Sequence, residues 1–163
     1  DTVGMPQSTA PGIKVSELFQ VCMIVRDLGE SMREFESVLG IGSWRVFEVD
    51  SCHLEAATYL GKPVQHKFKG ALAMVGSMQL ELVQPVEGDS IYRDFLEEHG
   101  QGIHHVGHVR VDNLDEAVQT LEKAGFRCLQ SGRMASTAWA YMDTGKRLGC
   151  IIELSSGADP RGS

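Results

Sequence analysis

The chain has 163 residues, of which 42% are hydrophobic and 23% are charged, a composition that allows a sizeable core and does not indicate disorder. Its formal net charge of −7 argues against nucleic acid or an anionic membrane surface as the main partner. The sequence has no apolar run near the roughly 20 residues of a membrane span and no secretory signal pattern, and its widely spaced cysteines form no C-x-x-C pair. We therefore expect a reduced, cytoplasmic protein with no membrane or nucleic-acid partner.

The two ends of the chain are predicted to be tails around one folded domain. Residues 1–14 and 157–163 are rich in Gly, Pro and Ser and show no periodicity. We expect the first tail to be disordered and a single domain to occupy residues 15–156.

The domain is predicted to open with a strand and a helix. A short apolar run with β-branched residues at 19–25 predicts a buried strand. Asp27 and, three residues later, Glu30 form a capping-box pattern, which satisfies free backbone amides at a helix start. Apolar residues then recur at helical spacing as far as Gly40, a typical helix stop.

The next segments predict the rest of a first module, which covers about residues 18–84, and a connection to the second half of the chain. We expect a strand at residues 44–50 and an irregular loop at 51–64. A hairpin at 67–84 turns at Gly76 and Ser77, and a linker at 85–89 then leads to a short helix at 91–98.

The opening pattern then returns in a second module. The segment that begins at Val111 repeats the one that begins at Val25, an offset of 86 residues. Asn113 and Glu116 repeat the capping box, and Gly125 repeats the helix stop. The second module is therefore expected to hold the same sequence of elements as the first.

Three more strands complete this second module, which covers about residues 102–155; we expect them at 127–130, 137–143 and 149–155. Each βαβββ module is too small to bury its own sheet face. The two modules should therefore pack together as one α+β domain.

Three stretches of this chain, together with the second Glu-Leu strand end at Glu153, resemble a known family. They are Glu81-Leu82-Val83-Gln84-Pro85, Ser90-Ile91-Tyr92-Arg93-Asp94-Phe95-Leu96 and Gly102-Ile103-His104-His105. The pattern is similar to the vicinal oxygen chelate superfamily, which includes glyoxalases, methylmalonyl-CoA epimerases, extradiol dioxygenases and fosfomycin or bleomycin resistance proteins. It is most similar to the epimerase branch. The resemblance implies paired βαβββ modules whose mixed sheets curl around a metal-centred cavity, commonly in a homodimer.

The resemblance also implies metal ligands on the first and last strands of each module, and these fall on Gln20, Glu81, His105 and Glu153. Gln20 stands where the epimerases usually have histidine, so the set resembles that of a glyoxalase I of the animal type. Two carboxylates, one imidazole and one amide oxygen suit one Mn²⁺, Co²⁺, Ni²⁺, Zn²⁺ or Mg²⁺ ion per chain. The two glutamates lie in otherwise apolar strands, where an unpaired carboxylate is costly, and this favours a partner or a metal for each.

The residue assigned as the histidine ligand depends on how the repeat is counted. Counting forward from Gly102 and Ile103 puts His105 at the ligand site, whereas the 86-residue offset puts Val106 opposite Gln20. One extra residue, a bulge near Gly107, would reconcile the two counts. We therefore predict His105 as the ligand, with His104 and His108 as the alternatives.

A site of this kind predicts proton abstraction next to a carbonyl group. A metal that binds a carbonyl or enolate oxygen stabilises the negative charge that develops when the neighbouring C–H loses its proton. By resemblance, Glu153 is the expected base and Glu81 the second candidate catalytic residue. The predicted strand at 67–75 has no carboxylate for the further acid or base that the epimerases use. His66, at the start of that strand, is either its substitute or an ordinary surface histidine.

The substrate is expected to be a small molecule that the sequence does not identify. Residues 141–149 replace the His-Pro-Lys type of segment that the epimerases carry before their last strand, so a CoA thioester is not assumed. His66, Tyr59 and His108 are candidate substrate-binding residues, although Tyr59 would otherwise simply cover the sheet edge.

The predicted function is that of a divalent-metal-dependent isomerase, epimerase or lyase. One alternative is a non-catalytic small-molecule binding or resistance protein of the same fold. The other is an extradiol-type Fe(II) dioxygenase. That chemistry uses two histidines and one carboxylate, and Gln20 removes one histidine from the site.

Overall fold

The computed structural model describes residues 12–159 and residue 161. Within these residues the chain forms ten strands and four helices. The first part contains β1 (Gln20–Ile24), α1 (Leu28–Leu39), β2 (Arg45–Asp50), β3 (Ala56–Tyr59), β4 (Lys62–Pro63), β5 (Lys67–Val75) and β6 (Met78–Glu87). After α2 (Ile91–His99) come β7 (Gly102–Arg110), α3 (Leu114–Lys123), β8 (Cys128–Met134), β9 (Thr137–Met142), α4 (Gly145–Leu148) and β10 (Ile151–Gly157).

All ten strands belong to one curled, mixed sheet. Its order is β2-β5-β6-β1-β7-β10-β9-β8-β3-β4, so the first strands of the two modules, β1 and β7, are neighbours at its centre. β1 runs parallel to β6 and β7 runs parallel to β10, whereas β1 and β7 are antiparallel. This arrangement confirms the predicted α+β fold of two packed βαβββ modules.

The two faces of the sheet have separate cores. On the convex face, α1 covers Leu82 and Ala71 in the first module, and α3 covers a second cluster that contains Ala140 and Leu154. On the concave face, residues of the two modules pack together, with α2 supplying Ile91 and Tyr92. Helix α2 therefore fills one end of the concave face, which leaves the other end open.

Local signals in the sequence account for the helix ends. The side chain of Asp27 accepts a hydrogen bond from the Glu30 amide at the start of α1, and Asn113 accepts one from Glu116 at the start of α3. Gly40 ends α1 with a left-handed φ of 67°, which a residue without a side chain adopts readily. The predicted caps and the first helix stop are thus confirmed.

The predicted irregular loop at 51–64 was wrong, because much of it is ordered secondary structure. A 3₁₀ turn (Ser51–His53) follows β2, and β3 and β4 then form a short ladder. β3 pairs with β8 of the other module, from Ala56 opposite Arg133 to Tyr59 opposite Gln130. These backbone groups obtain hydrogen-bond partners through a contact distant in sequence, which a local pattern does not reveal.

Other differences concern the ends of elements. The predicted linker at 85–89 is shortened, because β6 continues to Glu87, and α4 was not predicted. Of the two predicted tails, residues 1–11 lie outside the described part of the chain. Near the other end, Arg161 forms an ion pair with Glu17 at 2.7 Å and lies over the ring of Phe19.

The cysteines and the helices bear on two further expectations. All four cysteines are free, as expected for a chain without a disulfide framework. None of the helices among the described residues has the length and apolar character needed to cross a membrane.

Candidate metal centre

The four central strands bring the four predicted ligands together on the concave face. In the sheet register, Cys22 of β1 lies opposite Glu81 of β6 and opposite His105 of β7. Gln20, two residues before Cys22, points to the same face because side chains alternate along a strand. Glu153 of β10 approaches from the far side of β7.

A predicted irregularity in β7 is present and produces this convergence. The β7–β10 register shifts between Ile152 and Leu154, so that Glu153 faces a stretch with one extra residue, and His108 has a left-handed φ of 47°. The expected bulge near Gly107 is therefore confirmed. A second shift, opposite Cys22 and Met23, leaves His104 without a partner in the β1–β7 register. Such bulges re-aim side chains.

Short distances connect the four side chains in two pairs, Gln20 with Glu81 and His105 with Glu153. The Gln20 amide donates to Gln79 Oε1 at 2.7 Å and to Glu81 Oε2 at 3.2 Å. His105 Nε2 lies 3.7 Å from Glu153 Oε2. Glu153 Oε1 accepts a hydrogen bond from the His108 backbone amide at 3.3 Å.

Two of the predicted ligand atoms are buried and have no hydrogen-bond partner. They are Gln20 Oε1 and His105 Nε2, and their residues are 1% and 0% exposed. Buried polar atoms are nearly always paired, since leaving one unsatisfied costs about 1–3 kcal/mol. Gln20 Oε1 carries lone pairs, and His105 Nε2 carries one in the tautomer in which its Nδ1 donates to His104 Nδ1, so in that tautomer the lack of a partner at both atoms fits a metal ion.

The electrostatics of the site also fit a cation. Burial, followed by the charge of Glu153, raises the pKa of Glu81 to about 8, and burial raises the pKa of Glu153. Burial lowers the pKa of His105 well below its ordinary value, so its contact with Glu153 is between a neutral ring and a carboxyl group rather than an ion pair. Two buried carboxylates without a positive partner are expensive, and a divalent ion would compensate both.

Gly107 leaves the space in which two of the oxygens meet. A Cβ atom built on this glycine would lie 2.0 Å from Gln20 Oε1 and 3.2 Å from Glu153 Oε1. Any larger residue would therefore displace the unpartnered oxygen. The donor set of two carboxylates, an amide oxygen and an imidazole suits Mn²⁺, Co²⁺, Ni²⁺, Zn²⁺ or Mg²⁺.

The centre opens into a cavity of about 390 Å³ on the concave face. Gln20, Glu81 and Glu153 line it, whereas His105 lies beneath its surface. Its walls are mostly apolar and aromatic, and Arg45 and Arg110 are also part of the lining. Glu48 and Asp50 join the two ligand glutamates in this lining, so the cavity carries both acidic and basic groups.

The three candidate substrate-binding residues have different positions. His108 lines the cavity, where its ring stacks on Phe19 with centroids 4.9 Å apart. His66 is outside the lining; it is buried rather than a surface histidine, and its Nδ1 is 3.1 Å from the Asp89 carbonyl oxygen. Tyr59 is also outside the lining, and its hydroxyl donates to Asp94 Oδ2 of α2 at 2.5 Å.

Sequence reasoning missed two tyrosines at the centre. Tyr92 of α2 and Tyr141 of β9 are buried, line the cavity, and have hydroxyl oxygens 2.5 Å apart. A hydrogen bond with Tyr141 counteracts the rise in the pKa of Glu153. Alternation along β9 could have indicated that Tyr141 shares a face with Trp139, but the meeting with Tyr92 depends on how α2 docks.

Comparison with known proteins agrees with this fold. Residues 19–159 match the family model of the Glyoxalase/Bleomycin resistance protein/Dioxygenase superfamily. The mouse mitochondrial methylmalonyl-CoA epimerase is 27% identical over 124 residues, which cover 76% of this chain. An uncharacterized Bacillus subtilis protein, YqjC, is 39% identical over 57 residues, or 35% of this chain. The matches span 61% and 40% of those two relatives.

Solved structures with the same architecture include methylmalonyl-CoA epimerases. The enzyme from Mycobacterium tuberculosis superposes with a TM-score of 0.62 at 21% identity, covering 94% of this chain and 95% of that one. A variant of the Streptomyces coelicolor enzyme, in complex with 2-nitronate-propionyl-CoA, gives 0.65 at 17% identity, covering 90% and 100%. The chain belongs to the Glyoxalase/Bleomycin resistance protein/Dioxygenase superfamily, and the predicted membership is confirmed.

Proposed function

We propose that the protein is a divalent-metal-dependent isomerase, epimerase or lyase that removes a proton next to a carbonyl group of a small acyl substrate. The observation that carries this proposal is the convergence of Glu81 and Glu153 with two unpartnered buried atoms, Gln20 Oε1 and His105 Nε2, at the floor of an open cavity. The epimerases of the same fold and the curated mouse relative support the class of reaction.

Gln20, Glu81, His105 and Glu153 would hold the ion. When bound, such an ion polarises a substrate carbonyl oxygen and stabilises an enolate. Glu153 takes the α-proton, because one of its oxygens borders the cavity and is held by the His108 amide at 3.3 Å. Burial raises the pKa of this carboxyl, which makes it a better proton acceptor than an exposed glutamate. Glu81 is the second candidate base.

The geometry favours a single carboxylate base. On the strands of the first module that face the cavity, Phe47, Val49 and Phe68 point to the concave core. Glu48 and Asp50 border the cavity, but their carboxylates pair with Lys69 and Lys67 at 3.7 and 3.6 Å. His66 is outside the cavity lining, which does not support it as the second acid or base.

The cavity also suggests the chemical class of the substrate. Arg45 and Arg110 line it together with aromatic and aliphatic side chains. Arg110 donates to Ser155 Oγ and to the Gly157 carbonyl oxygen, which holds its guanidinium at the cavity wall, and a guanidinium in such a position suits an acyl compound that carries a carboxylate or phosphate group. α-Branched acyl thioesters are one such class, and methylmalonyl-CoA is bound by a structural relative. Thiol adducts of 2-ketoaldehydes are the second class to screen.

The alternatives are less consistent with these side chains. An extradiol-type Fe(II) dioxygenase needs two imidazoles and a carboxylate. His104 is outside the cavity lining, and its ring, whose Nε2 is also unpartnered, packs against Phe95 and Tyr92 of α2. His108 lines the cavity, but its ring stacks on Phe19. A non-catalytic binding protein would need no metal, and the two buried carboxylates would then have no evident purpose.

Elemental analysis is the first test. Chelator-free protein should contain about one divalent ion per chain, and Glu81→Ala should lose it. If the protein remains metal-free after incubation with Mn²⁺, Co²⁺, Ni²⁺ and Zn²⁺, the enzyme proposal is refuted and the binding-protein alternative is favoured.

Solvent exchange tests the base. Glu153→Gln should keep the fold and most of the metal, but should abolish exchange of the substrate α-proton with solvent deuterium. Glu48→Gln is the matched control and should retain exchange, since its carboxylate pairs with Lys69. Full exchange in Glu153→Gln would exclude Glu153 as the base, and loss of exchange in Glu48→Gln would indicate a second base.

Two further proposals concern the protein in the cell. By resemblance to the family we propose a cytoplasmic homodimer. Sedimentation of the purified protein distinguishes a dimer from a monomer.

A further inference from the structure

A buried thiol lies among the ligands of the candidate metal centre. Cys22 is 0% exposed, and its Sγ, a carboxylate oxygen of Glu81 and a ring nitrogen of His105 all lie within 4.8 Å of one another. The sheet register explains the proximity, because Cys22 lies directly between Glu81 and His105 on neighbouring strands. None of the four predicted ligands is a sulfur atom, so the thiol adds a soft donor to the site.

Packing alone is an incomplete explanation for this residue. A buried cysteine often acts as a small hydrophobic residue, and the Cys22 thiol donates to the Met23 carbonyl oxygen at 3.8 Å, but its Sγ also lies within 4.8 Å of a Glu81 carboxylate oxygen at the centre. A second, independent observation at the same place is the unpartnered His105 Nε2, which is fully buried. The sulfur therefore lies within 4.8 Å of a Glu81 carboxylate oxygen and of the ring of a buried histidine that has one unpartnered nitrogen.

We propose that Cys22 is a ligand of the centre for thiophilic divalent ions such as Zn²⁺ and Cd²⁺, and so determines which metals the site retains. This inference rests on the metal centre of the proposed function. Ligand atoms of one tetrahedral ion lie roughly 3.5 Å apart, and these three atoms already lie within 4.8 Å of one another, so small side-chain movements would let them share an ion. As the sulfur–metal bond forms, the S–H bond breaks and its proton leaves to solvent.

The centre then offers two overlapping sets of ligands. Hard ions such as Mn²⁺ and Mg²⁺ use the oxygen donors of Gln20, Glu81 and Glu153 together with His105, and leave Cys22 protonated. Softer ions add the sulfur to Glu81 and His105. Replacing Cys22 by serine should therefore weaken the binding of soft ions selectively.

The test compares cysteine variants in one background. Cys52 is exposed and forms, with Asp50 and His53, another group of ligating atoms within 4.8 Å of one another. Every protein in the experiment therefore carries Cys52→Ser, so that this group contributes no sulfur. Cys22→Ser is the test variant. Cys128→Ser is the control, because Cys128 packs in the convex core beneath α3.

The first measurement is the absorption spectrum of the chelator-treated proteins loaded with Co²⁺. The parent and Cys128→Ser should show a near-ultraviolet thiolate-to-cobalt charge-transfer band, and Cys22→Ser should lack it. In competition with a chromophoric chelator, Cys22→Ser should bind Cd²⁺ at least about tenfold more weakly and Mn²⁺ with nearly unchanged affinity. Cadmium NMR of the parent alone reports sulfur coordination even if Cys22→Ser fails to fold.

The outcomes separate this inference from the proposed function. Two outcomes refute the role of Cys22 but leave the proposed metal centre intact. In the first, the parent binds Mn²⁺ but its Co²⁺ form shows no charge-transfer band. In the second, the band persists in Cys22→Ser. Equal losses of Mn²⁺ and Cd²⁺ affinity in Cys22→Ser also refute it, since they indicate a general packing defect. If the parent binds none of these ions, both the inference and the proposed metal centre are wrong.

Discussion

Gly107 is the residue on which the geometry of the centre depends most directly. It lies on the central strand β7, and the Cβ atom of an alanine there would be 2.0 Å from Gln20 Oε1. Real Cβ contacts are not this short, so Gln20 or the strand would have to move. The identity of this one residue thus controls whether the amide oxygen reaches the site.

We predict that Gly107→Ala lowers metal affinity by about 10- to 100-fold, the range seen when ligand orientation is disturbed, while the protein remains folded. Competition with a chromophoric chelator measures the affinity. Gly102→Ala on the same strand is the control, because its Cβ would meet only Phe95 at an ordinary 3.9 Å. Unchanged metal affinity in Gly107→Ala would mean that Gln20 Oε1 is not a ligand.

His105 and His108 provide a second comparison at the scale of single residues. His105 is fully buried among the ligands, whereas His108 stacks on Phe19 and contacts Ser155. We predict that His105→Ala loses most of its metal and that His108→Ala retains most of it, as measured by elemental analysis after dialysis. The reverse order would show that the ligand histidine had been assigned to the wrong residue.

At the scale of elements, the sequence predicted some features because their signals are local. The side chain and the amide that make each helix cap are three residues apart, as at Asp27 and Glu30, and the bulge near Gly107 followed from two counts that disagreed by one residue. In contrast, β3 obtains its partner from β8, more than 70 residues away, and its four residues carry no distinctive pattern.

The same distinction applies to the candidate site. The four ligands were predicted from the resemblance to the family, and the structure brings them together because strand position and alternation define which face each occupies. Cys22 was not predicted as a neighbour of Glu81, since that requires the β1–β6 register. Tyr92 and Tyr141 meet only because α2 docks on the concave face. Tyr59 was placed near the substrate because β3 was expected to be a loop.

The junction between β5 and the segment before α2 carries a pH dependence. His66 is 4% exposed, its amide donates to Ser51 Oγ at 2.9 Å, and its Nδ1 donates to the Asp89 carbonyl oxygen. Burial lowers the pKa of His66 below its ordinary value of 6.5. The unfolded chain therefore takes up a proton at a higher pH than the folded chain does.

We predict that this residue makes the folded state less stable as the pH falls. Its contribution is fully present above pH 6.5 and is lost as the pH falls through 6.5 toward the lower folded pKa. Urea unfolding at a series of pH values should show a shallower loss of stability in His66→Asn, since Asn keeps a donor near the position of Nδ1 but does not titrate. If the free energy of unfolding falls equally steeply with pH in both proteins, this pH dependence does not come from His66.

At the scale of the whole molecule, the candidate centre connects the two modules. Gln20 and Glu81 belong to the first module, and His105 and Glu153 belong to the second. The four strands that carry them are consecutive in the sheet, in the order β6-β1-β7-β10. An ion bound by all four residues would therefore hold the two halves of the sheet together, and unfolding either half would release it.

We predict that metal binding stabilises the entire domain rather than one module. A ligand that binds only the folded state adds about 2.7 kcal/mol to the free energy of unfolding when its free concentration is 100 times its dissociation constant. Urea unfolding of chelator-treated protein, with and without Mn²⁺, should show one transition that shifts to higher urea. Two variants, Trp139→Phe and Trp44→Phe, each keep one tryptophan and so report the two modules separately, because Trp44 packs beneath α1 and Trp139 lies in β9. Glu81→Ala should show no shift. If only the Trp139 signal shifts, the ion is bound by the second module alone, and the four-ligand centre is wrong.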